Sequence, residues 1–512
     1  MNIKRAKQEI ANTVRAYLCR DEEGEYRIPT IRQRPVLLMG PPGIGKTQIM
    51  EQLAAEENVG LVAYTITHHT RQSAVGLPLI RQRSYGGREV SVTEYTMSEI
   101  IASVYQRMED TGLSEGILFI DEINCVSETL APTMLQFLQC KTFGNQKLPE
   151  GWIIAAAGNP PEYNKSVREF DIVTLDRVKR MDVEADLPVW KEYARRADIH
   201  PAILSYLELR PDHFYKVAAD VDGMQFVTAR GWEDLSNLIR TYDALGLETD
   251  EPVVRQYLQH EAIARDFAAY LALYKKYRDD YGVEDILAGQ VPPAVYARVL
   301  GAAFDERLSL VSLLLSGLNT RFAAAQFEDA VTDEVYQELK RLRPALLSME
   351  STPAALLERQ MQRRHERYEQ RRQADLVTPA ETRLHRAVQQ LLEGYVYQLQ
   401  DEPFLAGEDA FGLVQETFTQ QVEQREAAAE TAGAALEAAF DFMETAFGPG
   451  QEMVVFVTEL ALGPASGPFI AENGCERYDR YSQTLLLDSR RADLARRLAN
   501  QAAQDAEAGL PQ

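Results

Sequence analysis

Cysteine and tryptophan are scarce, four and three residues in a chain of 512. Cys19, Cys125, Cys140 and Cys475 are scattered and form no C-x-x-C pair. That excludes a disulfide framework and a cysteine-built zinc site, and it fits a reducing, cytoplasmic setting. No apolar run approaches the roughly 18 residues of a membrane span, so no membrane partner is expected. The opening MNIKRAKQEI is charged and lacks an apolar centre, so no secretory leader is expected either. No repeat of fixed period is visible. Basic residues are outnumbered 54 to 77, for a net charge of -23. Such a chain is not a broad binder of nucleic acid or anionic membrane, although a local basic groove is compatible with it. The remainder, 45% hydrophobic and 26% charged, is ordinary for a globular protein, and the length accommodates roughly two to four domains.

What is present is one dense motif. Val36 to Thr47 reads VLLMGPPGIGKT, an apolar strand running into G-x-x-x-x-G-K-T. Gly40, Gly43 and Gly45 lack a Cβ, so the loop can wrap a phosphate with inward N–H groups. Lys46 supplies a point charge for the β- and γ-phosphates and Thr47 a hydroxyl for Mg²⁺. A helix starting near Lys46 adds the positive end of its dipole. Pro41, Pro42, Ile44 and Gln48 complete the phosphate-binding segment.

Further strands are expected at Leu61 to Ile66, Ile117 to Ile120, Ile153 to Ala157 and Met181 to Val183. With helices between them they predict an α/β domain, a parallel five-stranded sheet covered on both faces. Hairpins are expected at 79–93, turning at Gly86-Gly87, and at 141–151, turning at Gly144-Asn145. From Asp186 onward helical periodicity dominates, and Leu187 to Ile239 reads as a small helical bundle. Thr378-Pro379-Ala380-Glu381 is a helix start. Met453 to Leu460 fits strand or helix equally. The expected domains are 1–185, an α/β core; 186–245, a helical lid; 246–377, a helical extension; and 378–512, a helical C-terminal region with a disordered end.

Asp121 and Glu122 end the apolar ILFI strand, where the first can hold the Mg²⁺ shell and the second can polarise an attacking water. Asn159 follows the next strand, and ligands sit at the carboxyl ends of parallel strands. Its amide can orient that water or touch the γ-phosphate. Arg177, in TLDRVKR, and Arg230, in TARGW, are candidates for stabilising charge on a transferring phosphoryl group.

On GPPGIGKT, GLP (76–78), FIDEIN (119–124), AAGNP (156–160), LDR (175–177) and TARGW (228–232), the sequence resembles an AAA+ ATPase of the MoxR family over roughly residues 1 to 245. The resemblance implies a P-loop α/β core and a helical lid; the large all-α C-terminal region is read from the helical periodicity alone. It implies ATP as substrate, with Lys46 and Thr47 as Walker A, Asp121 and Glu122 as Walker B, and Asn159 as sensor 1. It further implies Arg177 as an arginine finger acting on a neighbour's ATP, and Arg230 as sensor 2. The hairpins match the family's helix-2 and pre-sensor-1 insertions. Such proteins form hexameric rings that remodel or mature partner proteins, often ones with a von Willebrand factor A domain. Three features depart from the family, one being the helical half beyond residue 245, much longer than a simple MoxR lid and without an assigned role. Val178-Lys179-Arg180 follows the finger motif, so Arg180 competes with Arg177, and Ala229 precedes Arg230 where proline is usual. A nucleic-acid motor or nuclease-associated NTPase is the alternative, weakened by the acidic balance and the lack of a DNA-binding module. A nucleotide-gated scaffold is a third, opposed by the intact catalytic residues.

Three further patterns have plainer readings. His68-His69 lacks a third metal ligand at suitable spacing. Arg359, Arg363, Arg367 and Arg371 recur every four residues, as on a solvated helix face or one docking an acidic partner. Leu436, Phe440, Met443 and Phe447 read as core.

Overall fold

A computed structural model describes residues 1–68, 76–86, 88–143, 146–163, 167, 170–220, 223–347, 351–373, 377–402, 405 and 407–485. The expected turn residues Gly87, Gly144 and Asn145, His69, and the C-terminal tail lie outside them.

The α/β domain opens with α1 (Ile3–Leu18), capped by the Asn2 side chain, which accepts from the Arg5 amide. Then come β1 (Val36–Met39), α2 (Lys46–Glu57), β2 (Gly60–Thr65), β3 (Pro78–Tyr85), β4 (Arg88–Tyr95) and α3 (Glu99–Thr111). β5 (Gly116–Asp121), α4 (Ala131–Cys140), β6 (Thr142–Phe143), β7 (Gln146–Lys147), β8 (Trp152–Gly158), α5 (Ile172–Leu175) and β9 (Lys179–Asp182) complete it. Five strands form one sheet in the order β2-β5-β8-β1-β9, every pair parallel. Alternate strand residues bury opposite faces. Leu37, Leu118, Ile120 and Ile154 pack under α3 and α4, while Val36, Leu38, Phe119 and Ile153 pack under α1 and α2. This is the expected sheet. β3–β4 and β6–β7 are the two expected hairpins, and β3–β4 stands exposed along its length.

The next segment holds α6 (Leu187–Arg196), α7 (Pro201–Leu209), β10 (Lys216–Asp220), β11 (Gly223–Val227) and α8 (Ala229–Leu245). The expectation of an all-helical bundle over Leu187 to Ile239 is corrected here, because β10 and β11 form an antiparallel hairpin. Phe226 anchors it through its amide to the Gln259 carbonyl, and buried Val227 packs in the core that holds Trp232. The tertiary contact outweighs helical periodicity.

Helices follow through the rest of the described residues: α9 (Glu251–Tyr257), α10 (Glu261–Tyr281), α11 (Val283–Leu287), α12 (Pro293–Leu300), α13 (Phe304–Leu347), α14 (Pro353–Gln373), α15 (Pro379–Asp401), α16 (Gly407–Ala446), α17 (Gln451–Leu462) and α18 (Ser466–Asn473). Met453 to Leu460 is helical, in α17. Thr378 and Glu381 form a reciprocal capping box at the start of α15. One apolar core runs from Trp190 in α6 through α7, α8, α10 and the first half of α13 to α16, α17 and α18, and it takes in Leu436, Phe440 and Met443. A second joins the end of α13, α14, α15 and the start of α16. α13 is long and apolar enough by composition to cross a membrane, but 56% of its most apolar window is buried against other helices. Arg359, Arg363, Arg367 and Arg371 are exposed on α14, and Arg371 bonds Glu381.

Candidate nucleotide site

The carboxyl ends of β1, β5 and β8 meet at one crevice. Register places Met39 beside Gly158 and Ile120 beside Ala156, so the segments that follow these strands emerge together. The loop after β1 turns through Gly43 (φ 73°) and Gly45 (φ 90°), conformations that L side chains rarely adopt. Gly40 is held for a different reason: a Cβ there would lie 2.6 Å from the Val183 carbonyl oxygen. Gly45 then caps α2, whose first residues are Lys46 and Thr47.

The Lys46 ammonium is buried. It donates to the carbonyls of Gly40 and Pro41 and to Asn159 Oδ1, each at 2.8 Å. Burial pushes its pKa down to about 8; Asp121 and Glu122 oppose that shift and Arg230 adds to it. Thr47 Oγ1 donates to Asp121 Oδ2 at 2.8 Å. A hydroxyl beside a carboxylate is a hard-oxygen pair of the type Mg²⁺ takes while keeping most of its waters. The Glu122 amide donates to Asp121 Oδ1 at 2.8 Å, and Glu122 itself sits at φ 55°. That left-handed turn separates the directions of two adjacent acids. Glycines at the turns, a buried cation and an oxygen pair therefore fit a magnesium–nucleotide complex.

The structure adds Asn124, a residue without a role in the sequence reading beyond its place in FIDEIN. It is 2% exposed, and its Nδ2 donates to the Asn159 carbonyl at 2.8 Å. Its Oδ1 is buried without a hydrogen-bond partner and lies where a Cβ on Gly158 would come within 2.6 Å. Asn124 thus ties the turn after Glu122 to the end of β8. Its place at the close of FIDEIN was the available signal.

The lid reaches the loop directly. The Arg230 amide donates to the Gly43 carbonyl at 3.2 Å, and the Tyr215 hydroxyl to the Pro42 carbonyl at 2.9 Å. Thr228 caps α8 by accepting from the Gly231 amide, and its side chain abuts Gly43. Gln48 Nε2 donates to the Tyr193 hydroxyl of α6 at 3.0 Å, and Tyr193 donates to Glu233 at 2.7 Å. Between these elements and α1 lies a cavity of about 790 Å³, lined in part by Ile44, Thr47, Val189, Tyr193 and Arg230. The structure therefore brings together Gly40, Pro41, Pro42, Gly43, Ile44, Gly45, Lys46, Thr47, Gln48, Asp121, Glu122, Asn159 and Arg230. It leaves Arg177 out of this group, exposed just after α5 with its guanidinium donating to Gln139 Oε1 at 2.7 Å. Arg180 is ion-paired with Asp182 at 2.8 Å. Among the described residues no cluster of three metal-binding side chains occurs.

Residues 35–178 match the family model described as AAA domain (dynein-related subfamily). Among solved structures, a RuvB mutant from Thermogota maritima is similar, with 14% identity and a TM-score of 0.27, over 51% of this chain and 69% of that one. No curated protein matches the chain. The sheet, the phosphate loop and the family match together identify residues 35–178 as an AAA+ domain.

Proposed function

We propose that this chain hydrolyses ATP at the interfaces of a homo-oligomeric ring, hexameric by its MoxR likeness, and uses the cycle to remodel or mature a partner protein. The observation that carries the reading is the single crevice in which Lys46, Thr47, Asp121, Glu122 and Asn159 converge, with Arg177 facing outward.

The loop amides and Lys46 would hold the triphosphate, and the cavity between α1, α6 and α8 would take the nucleoside. Thr47 and Asp121 would hold Mg²⁺, which when bound neutralises charge on the β- and γ-phosphates. Glu122 accepts the proton of the attacking water, and Asn159 orients that water or the γ-phosphate. Arg230 reports nucleotide state to the lid through its amide bond to the loop. Arg177, held by a neutral amide rather than a carboxylate, is available to a neighbouring subunit's γ-phosphate; Arg180 is already paired. The exposed β3–β4 hairpin carries Leu79, Ile80, Tyr85, Val90 and Tyr95 outward, a surface suited to gripping a client chain. A protein with a von Willebrand factor A domain is the client class the likeness suggests.

The test is Glu122→Gln. The variant should bind ATP with near-native affinity while turnover falls about a hundredfold or more. Native turnover in that variant would remove Glu122 as the base. Affinity capture with the same variant in ATP should retain the client.

A further inference from the structure

Lid helices α6 and α7 face α13 and α17 across a second cavity, of about 540 Å³. Small-ligand sites span roughly 300–1,000 Å³. This one lies across α6 from the nucleotide cavity: Trp190 and Tyr193 line the first, Lys191 and Arg195 the second, and Arg196 both.

Its wall is apolar, built by Ile199, Leu204, Leu308, Val311, Leu315 and Val455. Five cations and three carboxylates line it, a net positive charge that runs against a chain of net charge -23. Three of the cations are neutralised in place: Arg195 by Glu459 at 2.6 Å, Arg240 by Asp198 at 2.8 Å, and Lys191 by Glu208. The other two, Arg196 and Arg383, have no carboxylate partner among the described residues; Arg383 lies over the Phe327 ring. An apolar wall and two exposed guanidiniums without carboxylate partners make up a site for a molecule with an aliphatic body and an anionic head. A carboxylate head would gain charge-assisted hydrogen bonds from these guanidiniums that a neutral head lacks, and a cationic head would meet them with like charge.

We propose that this cavity binds a small amphiphilic carboxylate, its chain against α13 and its head at the unpaired arginines. Decanoate, kept below its micellar concentration, is titrated into the full chain by calorimetry, with decanol and decyltrimethylammonium as neutral and cationic matches. Decanoate should saturate a single site and bind about tenfold more tightly than decanol, and the cation should not bind. Ala324→Trp, at an exposed position on the cavity wall, should weaken decanoate about tenfold with circular dichroism and melting temperature unchanged. Arg383→Gln should bring decanoate toward the affinity of decanol. Absence of saturable binding, equal binding of decanol, or native decanoate affinity in both variants would overturn the proposal.

Discussion

Asn124 and Lys141 show at single-residue scale how burial turns a polar side chain into a constraint. Asn124 holds the Asn159 carbonyl rather than any phosphate-facing atom, so its effect passes through Asn159. Asn124→Ala should lower kcat about tenfold and change nucleotide affinity less than about threefold, because misplacement of a catalytic group costs rate more than binding. Single-turnover kinetics beside equilibrium nucleotide titration separate the two, and a loss confined to affinity would remove the positioning role. Lys141 is 6% exposed, with its ammonium on Gln33 Oε1 at 3.0 Å, and burial pushes its pKa down to about 8. A lysine depressed in the fold opposes folding below about pH 8, and that opposition fades as pH rises toward the unfolded value near 10.5. The full difference amounts to at most roughly 3 kcal/mol. Lys141→Met, keeping the stem, should therefore stabilise the domain at pH 7 by about 1–3 kcal/mol and flatten its gain between pH 8 and 10. Urea midpoints of both proteins across that range give the comparison, and a less stable variant at pH 7 would contradict the argument.

Among the elements, α6 has contacts in two directions. Tyr193 joins it to α2 through Gln48, and Arg195 forks onto Glu459 of α17 at 2.8 and 2.6 Å. The fork is largely enclosed, with side-chain exposures of 11% and 29%. Each single alanine substitution should cost about 1–3 kcal/mol, and the double should cost clearly less than their sum. A denaturation cycle of the four proteins measures the coupling, and additivity would mean that α6 and α17 are merely adjacent. The elements also differ in how much of them the sequence disclosed. β1, β5 and β8 were legible because short apolar runs ended in glycine, paired acids or Gly-Asn-Pro, signals that fix both strand and site. The β10–β11 hairpin was not, because its residues are apolar without strict alternation and Phe226 is anchored by Gln259, distant in sequence. An Asp222-Gly223 pair was the local cue. Met453 to Leu460 was ambiguous because apolar Val454 stands on the exposed face, 40% exposed, and blurs the period that buried Met453, Phe456, Val457 and Leu460 follow. Lid contacts to the loop were illegible altogether, since the Arg230 and Tyr215 bonds end on backbone carbonyls, which carry no side-chain signature.

At the scale of the whole molecule, the crevice holds every assigned group except one arginine. Arg177 and Arg230 both belong to motifs that suggest phosphate contact, yet only Arg230 lines its own chain's cavity. In the proposed ring, a head-to-tail contact between copies would supply the missing partner, each subunit offering its site on one side and its arginine on the other. This arrangement predicts complementation. Lys46→Ala subunits lose nucleotide but still present Arg177, and Arg177→Ala subunits bind nucleotide but present no finger. Each alone should turn over poorly. Mixed in equal amounts, about a quarter of interfaces would pair an intact site with an intact arginine, restoring turnover to about that fraction of native. If Arg180 were the finger instead, Arg177→Ala would remain active alone and Arg180→Ala would take its place in the complementing pair. Failure of both mixtures, with a native chain that sediments as a monomer in ATP, would rule out a shared site and return both arginines to the surface.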